Sequence, residues 1–566
     1  MQLLQHFKEL TVRPKNAKEL KGLVLQLAIQ GKLTANWRKN NPNIEPASEL
    51  LNRIKKEKER LVKDKKIRKE KLLPVIEKHE IPFKSPSKWG WYRLRDVGLT
   101  MTGGTPSKSN SNFFGDDVPF LKPGDIKDWK VNYENEGLSL LGQEKLGRTA
   151  ISGSVLMVCL GTIGKCAIIN RDCSFNQQIN AITPLLISSN YLLNCLSSKY
   201  FYDVAWEKST STTIALLNKG KWESIPIPIP PLEEQKEIVK VVETLFKEIE
   251  QLEQLTVKRI SLKEDFVTSA LNQLTTNNAN QEWTFLQDHF KSFFNETSNI
   301  KKLRETVLQL AVQGKLTADW RVNNTDTENA SILLKRIQKE KAQLIKDKKI
   351  KKEKALPKIT KEEIPYELPE GWVWEYLGNS MLKITDGTHH SPANVENGDF
   401  KYVSAKNIKS KGVKLSNITY VTEEAHKEIY ARCNPELGDL LYIKDGATTG
   451  ICCINDLDEE FSMLSSVALI KQPKEVLNEY LLRVFRSPYY YDLMRKGMTG
   501  VAITRVTLTK LKASIIPIPP LEEQKAIVEK VNALMGLCNR LEQNVEQNQE
   551  YSAQLMQSCL REVFEK

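Results

Sequence analysis

The chain of 566 residues contains no run of about 18 apolar residues, which excludes a helical membrane span. Its opening stretch lacks the apolar core and small-residue cleavage site of a secretory signal, so the chain is expected to stay in the cytoplasm. Cysteine is sparse, nine residues in all, and shows no paired spacing of a zinc site. Cys452 and Cys453 are adjacent, while Cys159, Cys166 and Cys173 are spread through apolar sequence, so the thiols read as small buried hydrophobes. His389 and His390 are the only adjacent histidines, and no third ligand stands at a sensible spacing, so no metal is expected. No Asn-Pro-Pro-aromatic or Asp-Pro-Pro-aromatic string, no glycine-rich cofactor loop after a strand and no His-Glu-x-x-His is present. Gly31-Lys32-Leu33-Thr34 imitates the end of a phosphate-binding loop. It fails, because Gln26 stands where that loop needs glycine and Thr34 is the third residue after Gly31, not the second.

What the chain does have is positive charge and repetition. Lys and Arg number 83 against 70 Asp and Glu, a formal charge of +13. Such a surplus favours an anionic partner, nucleic acid first and a membrane surface or an acidic protein second. The string Ile225-Pro-Ile-Pro-Ile-Pro-Pro-Leu-Glu-Glu-Gln235 returns as Ile515-Ile-Pro-Ile-Pro-Pro-Leu-Glu-Glu-Gln524. Proline cannot continue a helix or sit in a central strand, so each copy predicts an extended connector. After the first copy, Ile238, Val242, Leu245, Ile249 and Leu252 fall at alternating steps of four and three. Ile527, Val531, Leu534, Cys538 and Leu541 repeat those steps, and Val545 extends them. Each series is a coiled-coil seam on a long helix.

The rest of the chain repeats too. Leu20-Lys-Gly-Leu-Val-Leu-Gln-Leu-Ala-Ile-Gln-Gly-Lys-Leu-Thr-Ala-Asn-Trp37 has its copy at residues 303–320. The pattern is helical up to Gly31 and Gly314, which sit where a left-handed cap ends a helix. A charged run at 53–71 matches 336–354 and predicts a solvated helix or mobile arm, either an exposed linker or a contact to a DNA backbone. Trp89-Gly-Trp91 and Trp372-Val-Trp374 follow, read as packing residues. Short β-type runs then occur at 118–121, 154–160 and 166–169, and again at 401–404, 440–444 and 466–470. A helical segment closes each unit, near 191–206 and 479–495. The reading is α+β, with a curved, partly open sheet in each globular unit of about 150 residues. Expected domains are a helical arm at 1–75, a globular unit at 76–230, a central region with a long helix and charged arm at 231–365, a second globular unit at 366–519 and a terminal helix at 520–566.

The flanking helices match nearly residue for residue, whereas the globular units match only at sparse points. Gly104-Thr105 aligns with Gly387-Thr388, Gly153 with Gly438, and Gly164 with Gly450. One chain thus holds two similar frames with dissimilar loops, as two recognition modules for two targets would.

The arrangement resembles the specificity subunit of type I restriction–modification enzymes over essentially the whole chain. The residues that carry the resemblance are Gly103-Gly-Thr-Pro-Ser107, Gly161-Thr-Ile-Gly-Lys165, Asn176-Gln-Gln178, the doubled proline connector and the doubled Gln-Gly-Lys-Leu-Thr segment. In the second unit Ser462-Met-Leu464 lies near the place of the Asn-Gln-Gln string. The resemblance implies two α/β target recognition domains, each reading one half of a bipartite, asymmetric site in double-stranded DNA. It implies long helices paired as an antiparallel coiled coil that spaces them, and no catalytic centre in this chain. It further implies two modification subunits that methylate adenine with S-adenosylmethionine, and restriction subunits that use ATP and Mg2+; this chain itself binds no cofactor.

Base reading needs Arg, Lys, Asn and Gln, and phosphate contacts need charge or small donors. In the first unit Thr105, Ser107, Lys108, Lys122, Lys127, Lys165, Asn176, Gln177, Gln178 and the loop 208–213 from Lys208 onward are the candidates for DNA contact. In the second they are Thr388, His389, Lys406, Asn407, Lys409, Lys444, Thr448 and Arg505. The competing structural roles are turns at Gly103, Gly104, Gly161 and Gly164, and loop bracing by Asn176-Gln177-Gln178. Two rival readings remain, a nuclease or methyltransferase with its own active site and a coiled-coil scaffold that binds only proteins. A helix from Leu232 to Leu274 would run roughly 65 Å at ~1.5 Å per residue. If it spaces two reading heads, inserting one helical turn changes the gap accepted between half-sites, as mapping the recognised sites will register.

Overall fold

The computed structural model describes residues 13–210, 214–276, 280–390, 392–393, 395–496 and 505–565. The chain divides into two compact units, residues 1–260 with 551–566 and residues 261–550. The first arm, the first globular domain and the start of the long helix therefore belong to one unit.

In the first unit, helices Pro14–Ile29 and Ala47–Lys63 precede the globular domain. Gly31 at φ +69° ends the first of them, with the Gly31 and Lys32 amides donating to the carbonyls of Ala28 and Leu27. This is the left-handed cap that the sequence places there. The globular domain is built on an antiparallel sheet whose strands run in the order Gly98–Thr102, Ile179–Pro184, Val155–Val158 and Cys166–Ile168. Every residue of Val155–Val158 is buried. Val155 and Met157 enter the core shared with the helices, and Leu156 and Val158 enter a second core on the opposite face. Both faces of this strand are covered, which is why the sequence runs apolar instead of alternating. The second core is closed by Phe114–Leu121, flanked by Gly137–Leu138 and, in parallel, by Ser174–Phe175.

The second unit repeats the plan. Its four-stranded sheet is Lys383–Asp386, Val467–Lys471, Leu440–Ile443 and Cys452–Ile454, and Phe400–Val403 lies between Thr419–Val421 and Phe461–Met463. Leu440 and Tyr442 face one core, Leu441 and Ile443 the other.

Three sequence expectations change. The proline connectors are strands: Pro226–Ile229 pairs antiparallel with Gly90–Arg93, and Ile515–Ile518 with Val373–Tyr376. In the first ribbon the isoleucines face Gly90 and Tyr92 and supply the ladder donors, while Pro226 and Pro228 fall at alternate positions that need none. The outward carbonyls of Pro226 and Pro228 accept from the hydroxyls of Tyr200 and Tyr191. Each closing helix is broken in two. Ser198 caps Lys199–Glu207 after Ser189–Leu196, and Ser487 with Pro488 starts Pro488–Arg495 after Asn478–Arg486. The seams also have two jobs. Ile238, Val242 and Ile249 join the core of the first unit, and Ile527 and Val531 that of the second. Farther along, Cys538 and Val545 pack with Val267 and Leu271 from the end of helix Leu232–Thr276.

Within the second unit the run of these helices is fixed by polar contacts. Ser298, Lys302 and Lys315 reach Glu264, Thr268 and Thr275 in rising order, whereas Arg304 and Asp319 meet Glu542 and Lys530 in falling order. The end of Leu232–Thr276 thus lies antiparallel to Leu521–Glu565 there. The first part of each charged run is helical, to Lys63 and to Lys346, and the remainder is irregular. Leu50, Leu51 and Ile54 are buried, and Lys58 donates to the carbonyl of Arg95, as Lys341 does to that of Gly378 in the copy. Burial lowers the pKa of both lysines below the usual range.

The doubled short motifs converge on one group. Helix Leu232–Thr276 starts after Pro230 and Pro231 with Glu233 and Glu234 in its first turn, a favourable end for carboxylates. Glu234 is fully buried. Its oxygens accept from Thr34 Oγ1 at 2.7 Å and Trp89 Nε1 at 2.8 Å, and from the guanidinium of Arg38. Glu523 accepts from Thr317 at 2.6 Å, Arg321 at 2.5 Å and Trp372 at 2.7 Å. Next to it, Gln235 Oε1 takes the Ser188 amide and Gln524 Oε1 the Leu477 amide. Removing a buried carboxylate strands its partners. Glu234→Ala is expected to destabilise its unit by about 3 kcal/mol, and Glu233→Ala, on the exposed face, by under about 1 kcal/mol. Urea unfolding followed by tryptophan fluorescence separates the two.

Candidate nucleic-acid interface

One end of each sheet carries the loops. In the first unit Thr102 pairs with Asn180, Asn180 with Met157, and Met157 with Cys166. The opening loop after Thr102, the Asn176-Gln177-Gln178 turn and the Gly161–Lys165 turn therefore leave the sheet side by side. Backbone bonds lock them: Gly104 to the Phe175 carbonyl, Cys159 to that of Gln178, and Gly161 to that of Ala215. The last bond adds the segment after Lys208 to the same rim, though residues 211–213 of that expected loop lie outside the described residues.

Most first-unit candidates stand on this rim. Thr105, Ser107, Lys108, Lys127, Lys165 and Gln177 are exposed, and Lys122, Gln178 and Lys208 are half-buried. Thr105 Oγ1 donates to Gln177 Oε1 at 2.8 Å, joining two motifs that are 72 residues apart in sequence. Lys122 pairs with Glu136, and Lys127 lies in the hairpin Ile126–Lys127 to Lys130–Val131. Asn176 is the exception. It is buried, and its side chain bonds the amide and Oε1 of Gln178, so it braces the turn.

The second unit has the same rim with other side chains. Asp386 pairs with Ala468 and Ala468 with Tyr442, so Asp386 stands at the place of Thr102 and Gly387 at that of Gly103. The alignment of Gly104 with Gly387 read from sequence is therefore one residue off, because the glycine that must abut the neighbouring backbone is the first after the strand. Leu464-Ser465-Ser466, not Ser462-Met463-Leu464, replaces Asn-Gln-Gln: Leu464 bonds the Val403 carbonyl as Asn176 bonds that of Leu121, and Lys444 bonds the Ser466 carbonyl as Cys159 bonds that of Gln178. His389, Lys406, Lys409, Thr448 and Arg505 are exposed, and Thr388 is half-buried. Two candidates point inward. Asn407 accepts from the Ser404 amide and donates to the Lys414 carbonyl, holding the turn that Asp125 holds in the first unit. Lys444 is 6% exposed and reaches Asp386 at 3.4 Å and Asp445 at 3.3 Å.

Sequence reading missed two pairs of residues. Arg148 donates to the Gly103 carbonyl at 2.6 Å, and Arg432 occupies the matching place with a 2.5 Å bond to Asp386. Tyr202 packs over Gly164 and stacks on Trp206, while Tyr491 packs over Gly450 with Arg495 over its ring at 4.5 Å. These flat, half-exposed groups recur at one place in both units. Neither set has a local motif; only the repeat seen in three dimensions marks them.

Among the described residues no group of three His, Cys, Asp or Glu side chains could hold a metal ion, and no helix is long and apolar enough to cross a membrane. The described cysteines are buried and unpaired, and burial pushes the Cys166, Cys173 and Cys453 thiols up to about 12.

Comparison with known proteins gives a consistent result. The family model of the type I restriction modification DNA specificity domain matches residues 86–259 and 381–550. The specificity subunit of the type I restriction enzyme EcoAI from Escherichia coli is 28% identical over 552 residues, covering 93% of this chain and 90% of that protein. The EcoEI specificity subunit, also from Escherichia coli, is 26% identical over 563 residues, covering 94% and 91%. A crystal structure of an HsdS subunit from Thermoanaerobacter tengcongensis shares 18% identity at a TM-score of 0.40, covering 86% of this chain and 98% of that one.

The rim depends on close backbone approach. A Cβ on Gly103 would sit 2.1 Å from the Asn176 carbonyl oxygen, and one on Gly387 would sit 1.8 Å from that of Met463. Gly103→Ala is expected to cost about 1–3 kcal/mol. Gly124→Ala, where nothing lies within 4 Å, should leave the urea midpoint unchanged.

Proposed function

This chain belongs to the family defined by the type I restriction modification DNA specificity domain, and on that premise we propose that its two units each read one half of a bipartite, asymmetric site in double-stranded DNA. The observation that carries the reading is the doubled sheet end. Two frames with matching registers present loops of different side chains, which is what unlike half-sites require. Exposed Lys127 and Lys165 in the first unit, and Lys406 and Lys409 in the second, supply phosphate contacts around the polar groups that face base edges. Thr105 and Gln177, already bonded to each other, form the polar pair of the first unit best placed for base reading.

The chain acts as the recognition part of a larger assembly. Modification subunits bring S-adenosylmethionine and the adenine methylation, and restriction subunits bring ATP and Mg2+; this chain holds none of these. Two copies of the same helical frame, each with its own buried carboxylate, offer two like surfaces for two like partners. Such a chain works in the cytoplasm, with the DNA it reads.

The decisive test is an adenine-methylation map of the host with and without this gene. Loss of one motif made of two short half-sites around a fixed gap supports the reading, and an unchanged map contradicts it. Binding of the assembled complex should fall with salt. Lys127→Gln combined with Lys165→Gln should lower the slope of log affinity against log salt by about 2 without changing the sequence read. Salt-insensitive association would favour a protein scaffold instead.

A further inference from the structure

The rims of the two units differ in one respect that the frame does not demand. In the second unit a chain of charged groups crosses the sheet end. Arg432 Nη2 and His389 Nε2 meet Asp386 Oδ1 at 2.5 Å and 3.3 Å. Lys444 Nζ lies 3.4 Å from Asp386 Oδ2 and 3.3 Å from Asp445 Oδ2, and Arg505 Nε lies 3.3 Å from Asp445 Oδ1. The middle of this chain is inside: the side chains of Asp386 and Lys444 are 2% and 6% exposed. Its ends are outside, with Arg432, His389 and Arg505 at 50%, 55% and 64%.

The first unit builds the same place without a buried charge. Thr102 stands for Asp386 and donates to Asn180 at 2.7 Å, and Asn180 Nδ2 lies 3.2 Å from the sulfur of Cys159, which stands for Lys444. Arg148 there bonds backbone carbonyls instead of a carboxylate. The frame therefore closes with neutral groups, and charges buried at this place carry a desolvation penalty that neutral replacements would avoid. What the charges add is direction. Buried Asp386 bonds the Arg432 guanidinium at the loop rim, Asp445 lies within ion-pair reach of Arg505, and Lys444 lies between the two carboxylates. A guanidinium held in one orientation can discriminate a guanine edge, whereas a swinging one contributes only charge.

We propose that the buried Asp386–Lys444 pair is the positioning element of the second unit, aiming Arg432 at DNA and so setting the base preference of one half-site. Lys444 then acts through its carboxylates and does not itself touch DNA. The inference rests on the reading of each unit as a half-site reader.

The test uses the full chain assembled with its modification partner in a host whose methylated motif is mapped by sequencing. Asp386→Asn should relax one half of the motif, lowering discrimination at the affected base tenfold or more, and leave the other half as read by the native chain. Arg432→Gln, at an exposed position, should relax the same base. The double variant should be no more relaxed than either single one, because both substitutions break one device. An unchanged motif with Arg432→Gln, relaxation of both halves, or losses that multiply in the double variant would overturn the proposal. Should Asp386→Asn lower the thermal midpoint, Arg432→Gln alone still decides. A native chain that writes no bipartite motif would overturn the underlying reading, and with it this one.

Discussion

A carboxylate with no access to water, Glu234 in one unit and Glu523 in the other, is the group on which the arrangement of each unit depends. It sits in the first turn of a 45-residue helix and collects a threonine and an arginine from the segment after the first long helix, and a tryptophan from the entrance to the globular domain. Three parts of the chain, each weakly constrained by itself, are thereby fixed at one point. The adjacent glutamine does the same for the closing helices, by taking the amide of Ser188 or Leu477. A buried ion pair of this kind adds little net stability compared with an apolar core, but it tolerates few alternative geometries. That suits a chain whose globular domains must be held in a defined orientation on their helices while their loops vary.

Frame and reading surface are separated by the sheet. The strands Val155–Val158 and Leu440–Ile443 are buried on both faces, so substitution there is confined to apolar residues of similar volume. The loops leave at the open end, tied by backbone hydrogen bonds whose donors and acceptors do not depend on side-chain identity. Side chains at the rim are therefore free to differ, and they do: neutral Thr102, Asn180 and Cys159 in one unit stand at the positions that Asp386, Ala468 and Lys444 hold in the other.

Much of this was legible before any coordinates. The repeats located both long helices, the glycine caps and the paired globular domains, because a duplicated helix copies its periodicity along with its caps. The strands at 440–444 and 466–470 emerged from apolar runs. The proline strand did not, because proline signals the absence of a ladder donor and says nothing of a partner that needs donors only at alternate residues. The site was half legible. Charge and amide content singled out Lys165 and Gln177, which are exposed, and gave Asn407 and Lys444 the same weight although both are inside. Arg148, Arg432 and the Tyr202–Trp206 stack were invisible, since nothing in their sequence neighbours distinguishes them from ordinary residues in or just after a helix.

The proline ribbon has a consequence for solubility. A two-stranded ribbon normally leaves an open edge on which another chain can add a strand, and a chain carrying two near-copies of that ribbon has a template for exchanging them. Along Pro226–Ile229 the outward positions have no amide hydrogen to offer, and their carbonyls are already occupied by tyrosine hydroxyls. The edge is chemically blunt. The second ribbon is blunted less completely: Ile515 replaces the first proline and keeps its amide hydrogen, while Tyr480 and Tyr489 still occupy the carbonyls of Pro517 and Ile515.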